Sequence, residues 1–364
     1  METIDNMNVT IRPVLSPSVA EALSVPMRAI VHRQYGTPDV LALEEIERPV
    51  PGDDEVLVRV HAAAASIGDH HVVTGKPYVI RLSPHGGVLR PRSRVPGMAL
   101  SGRVEAVGAK VTTLRAGDEV YGDAPAGAFA EYASVPAERL ALKPVNLSFE
   151  EAAATSWAVT PLQALRDQGD LQAGQKVLIN GASGGVGSWA IQIAKALGAE
   201  VTAVCSGRNT EMVRALGADA VIDYTKEDFV SGGSRFDLVF DAVGNRALSD
   251  FRKVLIPTGA YVSCTGGKSS LRWLFRLAKA SLTSLFTRQK LKMFVVSPRR
   301  EDLLSLKELV EAGKAKPFVE RRYALSEVAD ALRHVGGGHT RGQVVIRIAD
   351  QASSLIPSFR SGPF

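Results

Sequence analysis

Apolar and polar residues alternate along Val56-Leu57-Val58-Arg59-Val60-His61-Ala62, the period of a strand with one buried face. Similar runs at Arg28–His32, Glu55–Ala63, Ser101–Val107 and Phe129–Ser134 are set apart by glycine and proline turns. They predict a β-rich region over residues 27–150. The pattern changes at Phe149. A helix is expected from Glu150 to Ala154, and helical spacing resumes at Leu162–Arg166 after Pro161. From Lys176 onward strands and helices alternate, with strands at Val177–Asn180, Val201–Cys205, Ala220–Asp223, Phe236–Asp241 and Gly259–Cys264. Such alternation builds a parallel, doubly wound sheet, so the fold class is α/β with a second, β-rich domain. Leu291–Val296 is a further strand candidate. Helices near Arg300–Ala312 and Ser326–His334 and a strand at Gln343–Ile348 are expected to lead the chain back to the first domain.

One turn in this pattern carries chemistry. Val177-Leu178-Ile179-Asn180 runs into Gly181-Ala182-Ser183-Gly184-Gly185-Val186-Gly187 and then into a helix with Ala190, Ile193, Ala194 and Leu197 on one face and Gly198 as its stop. Gly184 lets the backbone approach a pyrophosphate, Gly187 lets the helix pack on the strand, and the helix N-terminus offers unpaired N–H groups to the anion. Ala182 replaces the first Gly of G-x-G-x-x-G. A tight strand–helix turn without a ligand is the alternative. A site for NAD places an acid on the ribose about 20 residues beyond the glycines. Here the next strand ends in Ser206-Gly207-Arg208-Asn209. Ser206 and Asn209 can hydrogen-bond a 2′-phosphate and Arg208 can pair with it, which favours NADPH. A solvated loop cation is the other reading of Arg208.

At 364 residues, 45% apolar and 22% charged, the chain suits two globular domains rather than a disordered one. Cys205 and Cys264 offer neither zinc spacing nor a disulfide framework, so a reducing, cytoplasmic setting is expected. No apolar run reaches the length of a membrane span. Residues 1–26 lack a signal-peptide core and read as a flexible arm, with Met27 an alternative translation start; residues 350–364 read as a flexible tail. The net charge of +5 is local: residues 251–300 hold 11 Lys or Arg and no acid. That distribution argues against a nucleic-acid partner.

Taken in order, several motifs resemble the medium-chain dehydrogenase/reductase superfamily in its zinc-free quinone-oxidoreductase-like branch. They are Pro51-Gly52-Asp53-Asp54-Glu55-Val56-Leu57-Val58-Arg59-Val60-His61-Ala62, Val95-Pro96-Gly97-Met98-Ala99-Leu100-Ser101-Gly102, Gly117-Asp118-Glu119-Val120-Tyr121-Gly122, Phe129-Ala130-Glu131-Tyr132, the glycine turn, and Leu216-Gly217-Ala218-Asp219-Ala220-Val221-Ile222-Asp223-Tyr224. The resemblance implies a GroES-like catalytic domain over 27–150 and 297–349 and a Rossmann cofactor domain over 151–296, with the active site between them. It also implies a homodimer. Zinc-dependent members read Pro-Gly-His-Glu where this chain has Pro96-Gly97-Met98-Ala99, and their earlier catalytic Cys corresponds to Ser66. Thioether, methyl and hydroxyl do not replace thiolate, imidazole and carboxylate, so no metal is expected. His70, His71 and His85 are the residual candidates for one.

Without a Lewis acid, alcohol oxidation loses its alkoxide stabiliser. Hydride transfer from NADPH to a quinone or to the C=C of an α,β-unsaturated carbonyl asks less of the protein. A metal-free alcohol/carbonyl oxidoreductase is the second reading. An NADPH-binding structural or nucleic-acid-binding protein with little turnover is the third. The resemblance puts Ser66 where relatives carry an Asn near the nicotinamide and His71 where they carry a Tyr lining the substrate. His71 is thus a candidate proton donor or a cleft-wall residue, with Tyr78 its rival. Thr160 matches the threonine near the nicotinamide; Gly184, Gly185 and Val186 match the pyrophosphate turn; Ser206 and Tyr224 match the adenosine end. Asn245 lies on a loop at a strand end, where cofactor contacts are expected, and Gln343 replaces a lysine. In a basic insert at 269–292, Leu271, Leu274, Phe275, Ala278, Leu282, Leu285 and Phe286 share one helical face beside Arg272, Arg276, Lys279 and Lys290. A cap over the cleft and peripheral docking on an anionic membrane both fit it.

Overall fold

The computed structural model describes residues 25–83, 86–265 and 287–348. Two sheets organise it. Strands β1 (Met27–Val31) and β2 (Ala42–Ile46) form an antiparallel ribbon beside the larger sheets. Next come β3 (Glu55–Ala65), helix α1 (Ile67–Thr74), β4 (Ala99–Val107), β5 (Glu119–Asp123), β6 (Tyr132–Pro136) and β7 (Leu140–Leu142). Helices α2 (Phe149–Thr155) and α3 (Val159–Leu162) lead through a wide π turn at Gln163–Gln168 into the second sheet. That sheet holds β8 (Lys176–Asn180), β9 (Glu200–Cys205), β10 (Ala220–Asp223), β11 (Phe236–Asp241), β12 (Leu255–Ser263) and β13 (Lys290–Met293). Its helices are α4 (Gly185–Ala196), α5 (Thr210–Ala215) and α6 (Leu248–Lys253). Helix α7 (Arg300–Glu311), β14 (Val319–Ala324), α8 (Val328–Gly336) and β15 (Gln343–Arg347) complete the described chain.

The six-stranded sheet is all parallel, in the order β10-β9-β8-β11-β12-β13. Chain order reverses between β8 and β11, the switch point at which open α/β sheets bind ligands. Val177, Leu178 and Ile179 are fully buried, as a strand covered on both faces requires. Ala190, Ile193 and Ala194 of the predicted face of α4 are buried and Leu197 partly so; Trp189 and Ile191 are buried as well, and α3 packs against α4.

The second sheet runs β14-β15-β3-β4-β5-β7, with β6 also on β3. The chain returns to it as β15, antiparallel to β3, and β14, parallel to β15. Helix α7 does not join that sheet. Its Leu303, Leu306 and Val310 pack into the core of the parallel sheet, while Tyr121 Oη donates to Leu303 O at 2.5 Å and Asn146 to Val310 O at 2.9 Å. Residues 297–349 are therefore divided between the two cores. The strand expected at Phe129–Ser134 starts later, at Tyr132; before it, Phe129 O accepts Ile30 N at 2.9 Å and Ala130 forms an isolated bridge with Ala29. Lys290 is in β13, not on an insert helix. Leu271, Arg272, Leu274, Phe275, Arg276, Ala278, Lys279, Leu282, Leu285, Phe286 and His85 lie outside the described residues.

Candidate functional site

At the end of β8 the chain turns through Gly181, whose φ of 85° suits a residue without Cβ. The sharp turn thus falls on Gly181, one residue before Ala182. Gly181 and Ala182 donate N–H bonds to Val204 O at 3.2 and 3.1 Å, which ties the turn to β9. A Cβ at Gly187 would sit 2.1 Å from Gly181 O, so α4 packs against the turn only because Gly187 has none. A Cβ at Gly184 would meet nothing closer than Gly181 O at 3.6 Å. Gly184 is the N-cap of α4 and no side chain caps it. The N–H groups of Gly185, Val186 and Gly187 open the helix without intrahelical acceptors, a ready anion site.

The catalytic-domain strand β15 braces this turn. Gln343 donates from Nε2 to Gly185 O at 2.7 Å, and Gly342 N donates to Ser183 O at 2.9 Å. Gln343 is buried and engaged, a role that sequence reading missed because 158 positions separate the partners.

Beyond β9, Ser206 is partly buried and Arg208 exposed, with its Nη2 3.5 Å from His339 O. Asn209 corrects its expected part. Its buried amide donates to Ser183 Oγ at 2.9 Å and Ser206 Oγ at 3.3 Å, leaving only a carbonyl oxygen, which has no hydrogen to give a phosphate. It fastens the loop after β9 to the glycine turn. Tyr224 stands half-exposed beyond β10, its N–H on Cys205 O at 3.1 Å. The fold also brings in an acid from the neighbouring strand: a Cβ at Gly207 would lie 2.5 Å from Asp223 Oδ2. The Thr225 hydroxyl and backbone hold the Asp223 carboxyl below its ordinary range.

At the switch point, Asn180 Nδ2 donates to Asp241 Oδ1 at 2.9 Å and to Asn245 Oδ1 at 3.0 Å. Asp241 is fully buried and also accepts from Tyr261 Oη at 2.7 Å and from the N–H groups of Val243 and Gly244. This network fixes the loop that carries Asn245. Thr160 is buried on α3.

Ser66 is the N-cap of α1. Its Oγ accepts from Gly68 N and Asp69 N at 3.1 and 3.3 Å and donates to Asp69 Oδ2 at 2.8 Å; Asp69 Oδ2 also accepts Ser66 N at 2.8 Å. The Ser-x-x-Asp spacing of this capping box was present in the sequence. Ser66 follows the end of β3, where Ala65 pairs with Val344, the residue after Gln343. Burial pushes the Asp69 carboxyl up to about 7, with the Asp123 charge adding and the Ser66 donors opposing. Burial pulls the His71 imidazole down to about 4, with His70 adding. His71 is therefore neutral near pH 7, which removes the basis for an imidazolium donor there. Tyr78 is 63% exposed, its ring 4.9 Å from the Arg81 guanidinium.

Two family models match the chain: an alcohol dehydrogenase GroES-like domain over residues 52–145 and a zinc-binding dehydrogenase domain over 216–346. A 2-methylene-furan-3-one reductase from Solanum lycopersicum is 34% identical over 89% of this chain and 80% of its own. An NADPH-dependent alkenal/one oxidoreductase, chloroplastic, from Arabidopsis thaliana is 34% identical over 90% and 82%. The solved quinone oxidoreductase from Coxiella burnetii superposes with a TM-score of 0.78 at 30% identity, over 89% of this chain and 100% of that one. The zinc in the second description does not fit the residues present. Ser66 is spent in its capping box, Met98 offers a thioether and Ala99 a methyl, and among the described residues no three His, Cys, Asp or Glu converge. A nicotinamide cofactor does fit, in the open turn at Gly184 and the uncapped N-terminus of α4. With its GroES-like sheet, its Rossmann sheet and these relatives, the chain belongs to the medium-chain dehydrogenase/reductase superfamily, in the quinone-oxidoreductase-like branch.

Proposed function

We propose that this oxidoreductase uses NADPH to reduce a quinone or the C=C of an α,β-unsaturated carbonyl, without zinc. The observation that carries the reading is the pairing of an uncapped glycine turn with Ser66, whose neighbours Met98 and Ala99 supply no metal ligand. When bound, NADPH supplies the hydride. Gly185, Val186 and Gly187 would hold its pyrophosphate by backbone N–H groups. The Ser206 hydroxyl and Arg208 guanidinium would take the 2′-phosphate, with Tyr224 beside the adenosine. Thr160 and Asn245 would bound the nicotinamide. Negative charge gathering on the substrate oxygen needs a hydrogen-bond donor, and neutral His71 has an N–H to offer.

Among the described residues no helix is long and apolar enough to cross a membrane. The relatives named chloroplastic leave the compartment of this chain to experiment; cytoplasmic residence belongs to the present reading. So does a homodimer; β10 and β13 are the two ends of the parallel sheet.

NADPH oxidation with a panel of enones, quinones and aldehydes, with and without EDTA, tests the reading. Enone or quinone turnover that survives EDTA is expected. Reduction of aldehydes alone would favour the carbonyl oxidoreductase, and NADPH binding with no acceptor reduced would favour a binding protein.

A further inference from the structure

The loop between α8 and β15 lies against the glycine turn and the loop after β9. On one side, Arg208 Nη2 donates to His339 O at 3.5 Å. On the other, Gly342 N donates to Ser183 O at 2.9 Å, and Gln343 Nε2 donates to Gly185 O at 2.7 Å. A Cβ at Gly185 would lie 3.2 Å from Gly342 O, so this loop touches the first residue of α4. Arg341 stands between these contacts, two residues after His339 and one before Gly342. Its backbone is held in place. Arg341 N donates to Glu320 Oε2 at 2.9 Å, and the same oxygen is 3.0 Å from His334 Nε2.

The side chain of Arg341 is not satisfied in the same way. The residue is partly buried, and its Nε is shut off from solvent without a hydrogen-bond partner. Among the described residues its guanidinium forms no ion pair, and Glu320 is engaged by His334 and by the Arg341 backbone. A partly buried cation without a counter-charge is costly to keep. The turn beside it is short of the opposite feature. Residues 181–187 contain no Lys or Arg, and Gln343 is neutral. Backbone N–H groups alone face an anion there. We propose that Arg341 binds the pyrophosphate of the nicotinamide cofactor, and that this anion is the partner its guanidinium lacks. The planar fork of Arg suits phosphate oxygens, with charge and N–H donors together. The proposal rests on the cofactor reading above and divides its phosphates between two residues. Arg208 takes the 2′-phosphate, which NADPH alone carries. Arg341 takes the pyrophosphate, which NADPH and NADH share.

The test is calorimetric titration of NADPH and of NADH into the full chain, as wild type, Arg341→Ala and Arg341→Lys. Arg341→Ala should weaken both cofactors at least tenfold, by factors that agree within twofold. Arg341→Lys restores the charge and should recover at least threefold of that loss for each. Inorganic pyrophosphate should compete with NADPH on the wild type and compete at least fivefold more weakly on Arg341→Ala. The urea midpoint of Arg341→Ala without cofactor should be no lower than that of the wild type, because an unpaired cation has been removed. Cofactor affinities unchanged in Arg341→Ala overturn the proposal, and so does a loss confined to NADPH, which would assign Arg341 to the 2′-phosphate. A fall in the urea midpoint together with a loss that Arg341→Lys does not recover also overturns it, by making the residue structural. A wild type that binds neither cofactor overturns the oxidoreductase reading instead.

Discussion

Gly184 and Gly187 share one turn, yet a methyl group means different things at each. At Gly187 it would collide with Gly181 O at 2.1 Å, and the backbone there has no slack. Gly187→Ala is expected to cost about 1–3 kcal/mol in urea unfolding and to weaken NADPH at least tenfold. At Gly184 the nearest atom is 3.6 Å away, so Gly184→Ala should leave stability nearly unchanged and still weaken NADPH, because its methyl occupies the approach to the turn. Calorimetric titration of both variants separates the fold from the site. Arg208 is a simpler case. It is exposed, and its hydrogen bond to His339 O, at 3.5 Å, is long. Arg208→Asp should weaken NADPH by about tenfold or more and NADH by less than twofold. Equal losses for both cofactors would remove Arg208 from 2′-phosphate recognition.

Helix α1 carries a titration into the fold. The Asp69 carboxyl is raised from 3.8 to about 7 by burial. A raised carboxyl contributes stability that is complete below its unfolded value and is lost as pH climbs through its folded one. Between pH 4 and 8 the wild type should therefore lose on the order of a few kcal/mol relative to Asp69→Asn, a difference readable from urea midpoints at each pH. The elements themselves were largely legible. The apolar run of β8, the stop at Gly198 and the alternation of β3 are local patterns, and each of these three formed within a few residues of its expected place. What was not legible joins distant positions. Asn180 meets Asp241 across 61 residues, and Asp223 reaches Gly207 only because β10 lies beside β9. The burial that lowers the His71 pKa to about 4 was likewise not legible in its spacing. Asp69 was an exception, visible as a capping box but not as a buried acid.

At the scale of the molecule, two cores meet over α7 and at the brace of β15. Gln343→Ala would remove the Nε2 bond to Gly185 O, which keeps its bond from Ser188 Oγ at 3.0 Å, a loss of about 0.5–1.5 kcal/mol. NADPH affinity should fall about fivefold or more although residue 343 lies outside the Rossmann sheet. An affinity equal to the wild type would make the brace irrelevant to the cofactor. The brace also has a consequence for biosynthesis. Strand β15 is the last described element to leave the ribosome, while the glycine turn emerges some 158 residues earlier. Until Gly342 and Gln343 arrive, the turn lacks two of its holding bonds. Tight capture of the cofactor thereby becomes a mark of a finished chain, and a growing one is spared the early uptake of a ligand it cannot yet use.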